Sequence, residues 1–98
     1  MNELVILGKI LSDINRVQII TLLKRERELC VCEICDTLQL SQPLVSRHLK
    51  QMREALVVQT EQMGKWKVYS LVQTPTISFL FKDIKADKLP DLISCSSR

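Results

Sequence analysis

An apolar stripe with helical spacing opens the chain, and its positions are Leu4, Leu7, Ile10, Leu11 and Ile14. This stripe predicts an amphipathic N-terminal helix, and the Ser12-Asp13 pair that lies within it can cap the next helix. The second helix is expected from about Ile14 to Lys24, with Val17, Ile20 and Leu23 on one side. A third, short helix is expected over residues 31–39, because Val31, Ile34 and Leu38 continue the helical period.

A fourth helix is predicted after the polar turn at residues 40–43. Ser41 is a natural N-cap residue, and Pro43 is tolerated in a first helical turn, where its missing N–H costs nothing. The predicted buried stripe of this helix consists of Val45, Leu49, Met52 and Leu56. The opposite face is then polar and basic, and it carries Gln42, Ser46, Arg47, Lys50 and Arg53.

The pattern changes after the fourth helix. Residues 57–62 and 66–71 are rich in β-branched and aromatic side chains, and residues 63–65 between them suit a turn, so we predict a β-hairpin. Beyond Pro75, a last amphipathic helix is expected from the spacing of Ile77, Leu80, Phe81 and Ile84, and Pro90 ends it. The predicted fold is one α+β domain over residues 1–98, mostly helical with a hairpin and with a frayed tail from about residue 90.

Composition refines this picture. The chain has 98 residues, of which 46% are hydrophobic. A domain this small gains stability by burying surface against a second subunit, so dimerisation is plausible. No apolar run is long enough for a bilayer, and the N-terminus carries Glu3 rather than a basic leader, so we expect a cytoplasmic protein with no membrane partner.

The net charge of +3 is concentrated between Ser41 and Ser70, a segment that contains five Lys and Arg residues and only two Glu residues. Two short helices joined by a tight turn, the second one basic on its outer face, are typical of a helix-turn-helix that inserts its second helix into the DNA major groove. Gln42 and Ser46 are candidate base contacts. Arg47, Lys50 and Arg53 are candidates for phosphate or guanine, and Lys65, with Lys67, for a backbone contact from the hairpin as a wing. His48 is a candidate phosphate contact, with a packed, structural histidine as the alternative.

Three cysteines, Cys30, Cys32 and Cys35, crowd into six residues, while Cys95 stands alone in the tail and is interpreted as incidental. Thiolates select soft or borderline ions, and three of them suit a three-coordinate ion such as As(III) or Sb(III) better than a four-coordinate structural zinc. In a regular helix Cys30 lies about 200° around the axis from Cys32. Gathering all three would therefore distort the start of the third helix and disturb the groove-reading helix that it packs against.

The residues Glu28-Leu29-Cys30-Val31-Cys32-Glu33-Ile34-Cys35 and Ser41-Gln42-Pro43-Leu44-Val45-Ser46-Arg47-His48-Leu49 resemble the ArsR/SmtB family, specifically its arsenical-resistance repressors. Further similarity lies at Leu11-Ser12-Asp13, at Arg16 and at residues 64–69. Ala55 departs from the pattern, since many relatives have glycine there.

The resemblance implies a homodimeric winged helix-turn-helix repressor that binds double-stranded operator DNA and leaves it when As(III) or Sb(III) binds, with no other cofactor. It implies that the inducer ligands are Cys30, Cys32 and Cys35. It also implies DNA contacts by Gln42, Ser46, Arg47 and His48, a wing contact by Lys65, and dimerisation through the first and last helices.

Other functions remain open. Neighbouring thiols can oxidise, which suits a redox-responsive repressor, and the same ligands suit a sensor of Cd(II), Pb(II) or Zn(II). A protein-interaction module without DNA binding is a further alternative. An enzyme is not expected, because the chain shows no convincing arrangement of nucleophile, base and orienting group.

Overall fold

The computed structural model describes residues 3–82 and 89–93. The helices in this part of the chain are α1 (Glu3–Leu11), α2 (Ile14–Glu26), α3 (Val31–Leu38), α4 (Gln42–Glu54) and α5 (Pro75–Phe81). The strands are β1 (Glu28–Cys30), β2 (Val58–Met63) and β3 (Trp66–Leu71). The predicted order of four helices, a hairpin and a final helix is confirmed. No helix within these residues is long and apolar enough to cross a bilayer.

The strands form an antiparallel sheet in the order β1-β3-β2. Strands β2 and β3 are the predicted hairpin, paired from Val58 with Leu71 to Met63 with Trp66. The two-residue turn is made possible by Gly64, whose φ of 64° is a left-handed conformation that glycine adopts without strain. Strand β1 was not predicted, because three residues are too short for an alternating pattern to show.

Side-chain caps fix where α2 and α4 begin. Asp13 precedes α2 and accepts a hydrogen bond from the backbone N–H of Asn15 at 2.8 Å. Ser41 precedes α4 and its hydroxyl accepts from the backbone N–H of Leu44 at 3.4 Å. Both residues therefore act as the N-caps that the sequence predicts.

One apolar core joins the sheet to helices α1 to α5. Its fully buried side chains include Ile19, Ile20, Leu22, Leu23, Leu29, Ile34, Val45, Leu49, Met52 and Val57. The prediction that Leu56 belongs to the buried stripe of α4 is wrong, since its side chain is 72% exposed. Helix α4 ends at Glu54, and Leu56 turns the chain with a φ of 62°, so the helical period no longer applies to it.

Helix α5 begins after Thr74, whose hydroxyl accepts from the backbone N–H of Ile77 at 3.2 Å. Ile77 and Phe81 are buried as predicted, whereas Ile84 lies outside the described residues.

Residues 90–93 belong to the tail for which fraying is expected, and three of them contact the rest of the domain. The backbone N–H of Ile93 donates to the Thr37 hydroxyl at 2.9 Å, and Leu92 packs against the core. Arg25 donates to the Pro90 carbonyl at 2.8 Å. These contacts hold the segment against α2 and α3. Leu89 and Leu92 also pack against the core, which the sequence pattern did not reveal.

Candidate functional site

Helices α3 and α4 pack together and are joined by a turn at residues 39–41. Gln39 ends α3 in a left-handed conformation with a φ of 59°. The backbone N–H of Leu40 donates to the Cys35 carbonyl at 3.0 Å, which satisfies one of the last carbonyls of α3. This turn and the Ser41 cap fix the direction in which α4 leaves α3.

Helix α4 separates its residues cleanly into two faces. Val45, Leu49 and Met52 are buried in the core. The predicted DNA-contacting residues of the other face are all exposed, and they are Gln42, Ser46, Arg47, Lys50 and Arg53. Three cations and two small polar side chains therefore share one solvent-facing surface, which we call the α4 outer face. Such a surface offers both phosphate-binding charge and base-reading hydrogen-bond groups.

The hairpin adds charge at a second place. Lys65 lies in the turn directly after Gly64, and Lys67 lies near the start of β3; both side chains are exposed. Gln62 stabilises the turn by donating from Nε2 to the Gly64 carbonyl at 3.0 Å. The tip therefore presents lysine side chains on an ordered turn, as a wing does beside the DNA backbone.

His48 is set apart from the other predicted contact residues, because it is buried with only 3% of its surface exposed. Its Nδ1 accepts a hydrogen bond from Nε of Arg16 at 3.0 Å. Its Nε2 lies 3.9 Å from Oδ2 of Asp13. Burial lowers the pKa of the imidazole, and the charges of Arg16 and Arg47 lower it further, against an opposing effect of Asp13. The structure thus favours the packed histidine over the phosphate contact.

Arg16 and Asp13 lie next to His48, and the sequence analysis assigned neither of them to its surroundings. Asp13 was predicted only as a cap, and Arg16 entered only through the family resemblance. Their separation from His48 by more than thirty positions along the chain left no local pattern that could have joined them.

The cysteine segment begins where β1 meets α3. Cys30 is the last residue of β1 and the N-cap of α3, and its Sγ lies 3.1 Å from Sγ of Cys32. The prediction that Cys30 and Cys32 point apart assumed a helix through both and is wrong, because Cys30 has extended backbone. The backbone N–H of Cys30 donates to Oε1 of the buried Glu33 at 3.1 Å, which holds this corner in place.

Cys35 is buried on α3 in the core cluster. Burial raises the pKa of its thiol, and the neighbouring carboxylate of Asp36 raises it further. Cys32 is half-buried and disulfide-bonded, so its sulfur has to be reduced before it can act as a thiolate. Across residues 3–82 and 89–93, no three Cys, His, Asp or Glu side chains are grouped closely enough to hold a metal ion. Cys95 lies outside the described residues.

Residues 13–60 match the family model described as bacterial regulatory protein, arsR family. The matched segment begins at the Asp13 cap and contains α2, α3, α4 and the start of β2, and therefore every predicted contact residue except those of the hairpin tip. It also contains the three clustered cysteines.

Two relatives carry names that state a role. The chain is 47% identical over 66 residues to the arsenic resistance transcriptional regulator ArsR1 of Pseudomonas putida, covering 67% of this chain and 52% of that protein. It is 46% identical over 65 residues to the arsenical resistance operon repressor of Escherichia coli, covering 66% of this chain and 56% of that protein. The matched part thus spans only about half the length of these relatives.

Among solved structures, HlyU from Vibrio cholerae is similar to this chain with a TM-score of 0.70 and 31% identity. The alignment covers 82% of this chain and 89% of HlyU, so nearly the whole described fold is shared.

Proposed function

Because this chain belongs to the arsR family of bacterial regulatory proteins, we propose that it is a cytoplasmic, metalloid-responsive transcriptional repressor. It binds operator DNA through helix α4 and the hairpin, and it leaves the operator when As(III) or Sb(III) binds Cys30, Cys32 and Cys35. The observation that carries the proposal is the direct packing of the cysteine-bearing helix α3 against α4, whose outer face is polar and basic. The family and the named relatives are regulators and not enzymes.

The DNA-binding half of the proposal is supported by the α4 outer face. Arg47, Lys50 and Arg53 are long cations that neutralise phosphates, and arginine also binds guanine with two hydrogen bonds. Gln42 and Ser46 lie in the N-terminal half of α4, the part that reaches base edges when a recognition helix enters the major groove. Lys65 then contacts the backbone from the wing.

The inducer-binding half is supported by the chemistry of the cysteine segment. Arsenous acid exchanges its hydroxyl groups for thiolates, and each thiol proton leaves with a hydroxyl group as water. Cys30 and Cys32 already have their sulfurs in contact. Cys35 is a buried thiol with a raised pKa, so losing its proton to an As–S bond is easier than ionising it in place. Recruiting it requires α3 to shift.

The shift connects the two halves. Ile34 of α3 belongs to the same core cluster as Val45 and Leu49 of α4. A well-packed core does not deform continuously, so a change at the start of α3 moves or loosens α4. Inducer binding therefore favours a state with lower DNA affinity, and the coupling needed is a few kcal/mol.

We also propose a homodimer that uses α1 and α5. Val5 on α1 and Phe79 on α5 are large apolar side chains that are exposed, at 50% and 67% of their surface. Covering them with a second copy removes apolar surface from water, which stabilises a domain of this size.

The deciding experiment is fluorescence anisotropy of the fully reduced protein on a labelled duplex taken from upstream of its own gene. Arsenite is expected to release the wild type, whereas Cys32→Ser binds the duplex normally but is no longer released. Cys95→Ser is the matched control and should respond like the wild type. An unchanged arsenite response of Cys32→Ser would remove Cys32 from the site, and Zn(II), Cd(II) or Pb(II) acting alone would identify a different inducer.

A redox-responsive repressor is the second candidate, and it is favoured by the disulfide state of Cys32 and the 3.1 Å contact between the sulfurs of Cys32 and Cys30. In this case peroxide accepts the two electrons released when two thiols form a disulfide, and peroxide itself becomes water. Release by stoichiometric peroxide, with arsenite inactive at the same concentration, would replace the metalloid proposal with this one.

A further inference from the structure

The buried side of the recognition helix carries a histidine with an unusual set of partners. His48 is the only histidine in the sequence. Its Nδ1 accepts from Nε of Arg16 at 3.0 Å, while its buried Nε2 has no hydrogen-bond partner among the described residues. Among the described residues, the acidic atom closest to that nitrogen is Oδ2 of Asp13 at 3.9 Å, beyond hydrogen-bond reach. Because Nδ1 accepts, the imidazole has to be neutral with its proton on Nε2.

Arg16 uses its remaining nitrogens to connect three helices. Nη1 donates to the carbonyl of Lys9 near the end of α1 at 3.0 Å, and Nη2 donates to Oε1 of Gln51 on α4. Gln51 follows His48 by three positions, so Arg16 contacts adjacent turns of the same helix face. One guanidinium therefore joins the α1–α2 corner to the recognition helix at two points.

We propose that Arg16 and neutral His48 are a pair of positioning residues that set the placement of helix α4 for operator binding, and that adding a proton to His48 breaks this pair. The inference rests on the proposed operator binding. It assigns His48 a role through Arg16 and α4, and no contact with DNA.

The chemistry of the pair gives the inference a direction. A proton on Nδ1 removes the acceptor that Arg16 uses, and it places two positive charges about 3 Å apart. The charged groups that face His48 are Asp13, Arg16 and Arg47. Only Asp13 favours the protonated form, and its oxygen lies too far away to replace the lost hydrogen bond.

Burial lowers the pKa of His48 below its usual value of 6.5. The neutral form, and the stability that it contributes, is therefore fully present above about pH 6.5 and is lost as the pH falls below this value toward the lower pKa of the folded protein. General electrostatics predicts the opposite trend for DNA affinity, because acid makes a protein more positive and DNA binding stronger. A loss of affinity in acid is thus a specific sign of the pair.

The first test measures duplex affinity by anisotropy between about pH 5 and 8, at constant salt, for the wild type and for His48→Asn. The asparagine Oδ1 can accept from Arg16 in place of Nδ1 but does not titrate. We expect the wild type to lose roughly tenfold in affinity at the acid end, because protonated His48 favours the arrangement of α4 that Arg16 no longer holds. His48→Asn should stay within a few-fold of the wild type at neutral pH and lose the acid response.

Arg16→Lys supplies the second variant. Lysine keeps the positive charge, but its single ammonium group cannot replace the guanidinium group, which donates to three separate acceptors. It should weaken duplex binding at neutral pH while thermal unfolding shows that the domain is folded. An equal acid response in the wild type and His48→Asn would overturn the inference, and so would wild-type affinity in Arg16→Lys.

The pair is also tested without DNA. Nitrogen-15 NMR of the single imidazole should show the neutral form with its proton on Nε2, and an Nδ1 chemical shift that changes when Arg16 is replaced by lysine, because the hydrogen bond to Nδ1 is lost. The pKa of the imidazole should rise toward 6.5 when the protein unfolds, because unfolding removes the burial that lowers it. An Nδ1 shift that is the same in the wild type and in Arg16→Lys would overturn the pair. Failure of the wild type to bind any duplex, with this signature present, would overturn only the proposed function and its operator-positioning consequence.

Discussion

Helices α3 and α4 pack against each other, but they present their functional side chains in opposite ways. On α4 the candidate DNA-contacting residues point outward, while Val45, Leu49 and Met52 hold the helix in the core. On α3 the candidate ligand Cys35 points into the core, and the sulfurs of Cys30 and Cys32 meet at its beginning. Under the proposed function, the α4 outer face is therefore already exposed to DNA, whereas the three thiols have to be brought together.

This difference explains how one small domain can couple two ligands. If the three thiols were already gathered, an ion could bind without moving anything, and it would have no effect on DNA affinity. Under the proposed function, ion binding draws the buried Cys35 out of its packing, so the ion and the operator favour different arrangements of the same two helices. The sharpest tests are those that separate packing, charge and capping on α3 and α4.

The largest effect is expected from Ile34→Ala, which empties a fully buried position of α3 in the core cluster that also contains Val45 and Leu49 of α4. We predict a loss of about 2–5 kcal/mol in the free energy of unfolding, from lost apolar burial and the cavity left behind. Urea unfolding of the reduced protein, followed by circular dichroism, measures it. Asp36→Ala, at an exposed position of the same helix, should stay within about 0.5 kcal/mol of the wild type.

A small loss of unfolding free energy in Ile34→Ala would contradict the coupling of α3 to α4, since it would mean that α3 contributes little to the packing that holds α4. Release of DNA by rearranging α3 would then lack a mechanical connection.

The sequence predicted the α4 side better than the α3 side, for a physical reason. In an amphipathic helix with a serine cap, the local spacing of apolar residues predicts the buried and exposed faces. The exposed positions of Ser46 and Arg47 could therefore be predicted directly. The contact between the sulfurs of Cys30 and Cys32 was not predicted, because the three-residue strand that holds Cys30 beside β3 leaves no local pattern. The prediction that Leu56 is buried was wrong for a similar reason, since the helix ends two residues earlier.

Long-range contacts were beyond sequence reasoning altogether. The bond from Arg16 to His48 joins residues far apart in the chain, and so does the bond from Ile93 to Thr37. Neither leaves a periodic signal. The family resemblance directed attention to Arg16 and His48 separately, but only the structure joins them, and it shows that the imidazole of His48 is buried.

An intermediate effect is expected from Arg47→Ala on the α4 outer face. We predict that operator affinity falls by about 1–3 kcal/mol, roughly a ten- to hundredfold change, while the free energy of unfolding stays nearly constant. Anisotropy titrations at several salt concentrations distinguish a phosphate contact, which lowers the salt slope by about one, from a base contact, which changes sequence preference.

Arg27→Ala is the matched control for charge, because Arg27 is also an exposed arginine but lies between α2 and β1, outside the α4 outer face. Equal losses in the two variants would mean that DNA responds to net charge alone, and the outer face would lose its special role.

The smallest effect is expected at Ser41, where the two helices differ in their caps. Ser41 offers a hydroxyl to α4, whereas Cys30 offers α3 only sulfur, a weaker acceptor. Ser41→Ala should lower the free energy of unfolding by about 1 kcal/mol in urea titrations.

Ser41→Asp should keep the cap, since aspartate accepts from the same N–H groups and its charge favours a helix N-terminus. The same carboxylate would repel DNA phosphates, so we expect Ser41→Asp to be as stable as the wild type but to bind operator more weakly. If Ser41→Asp instead lost stability and kept its DNA affinity, the start of α4 would be neither capped by this side chain nor close to the DNA.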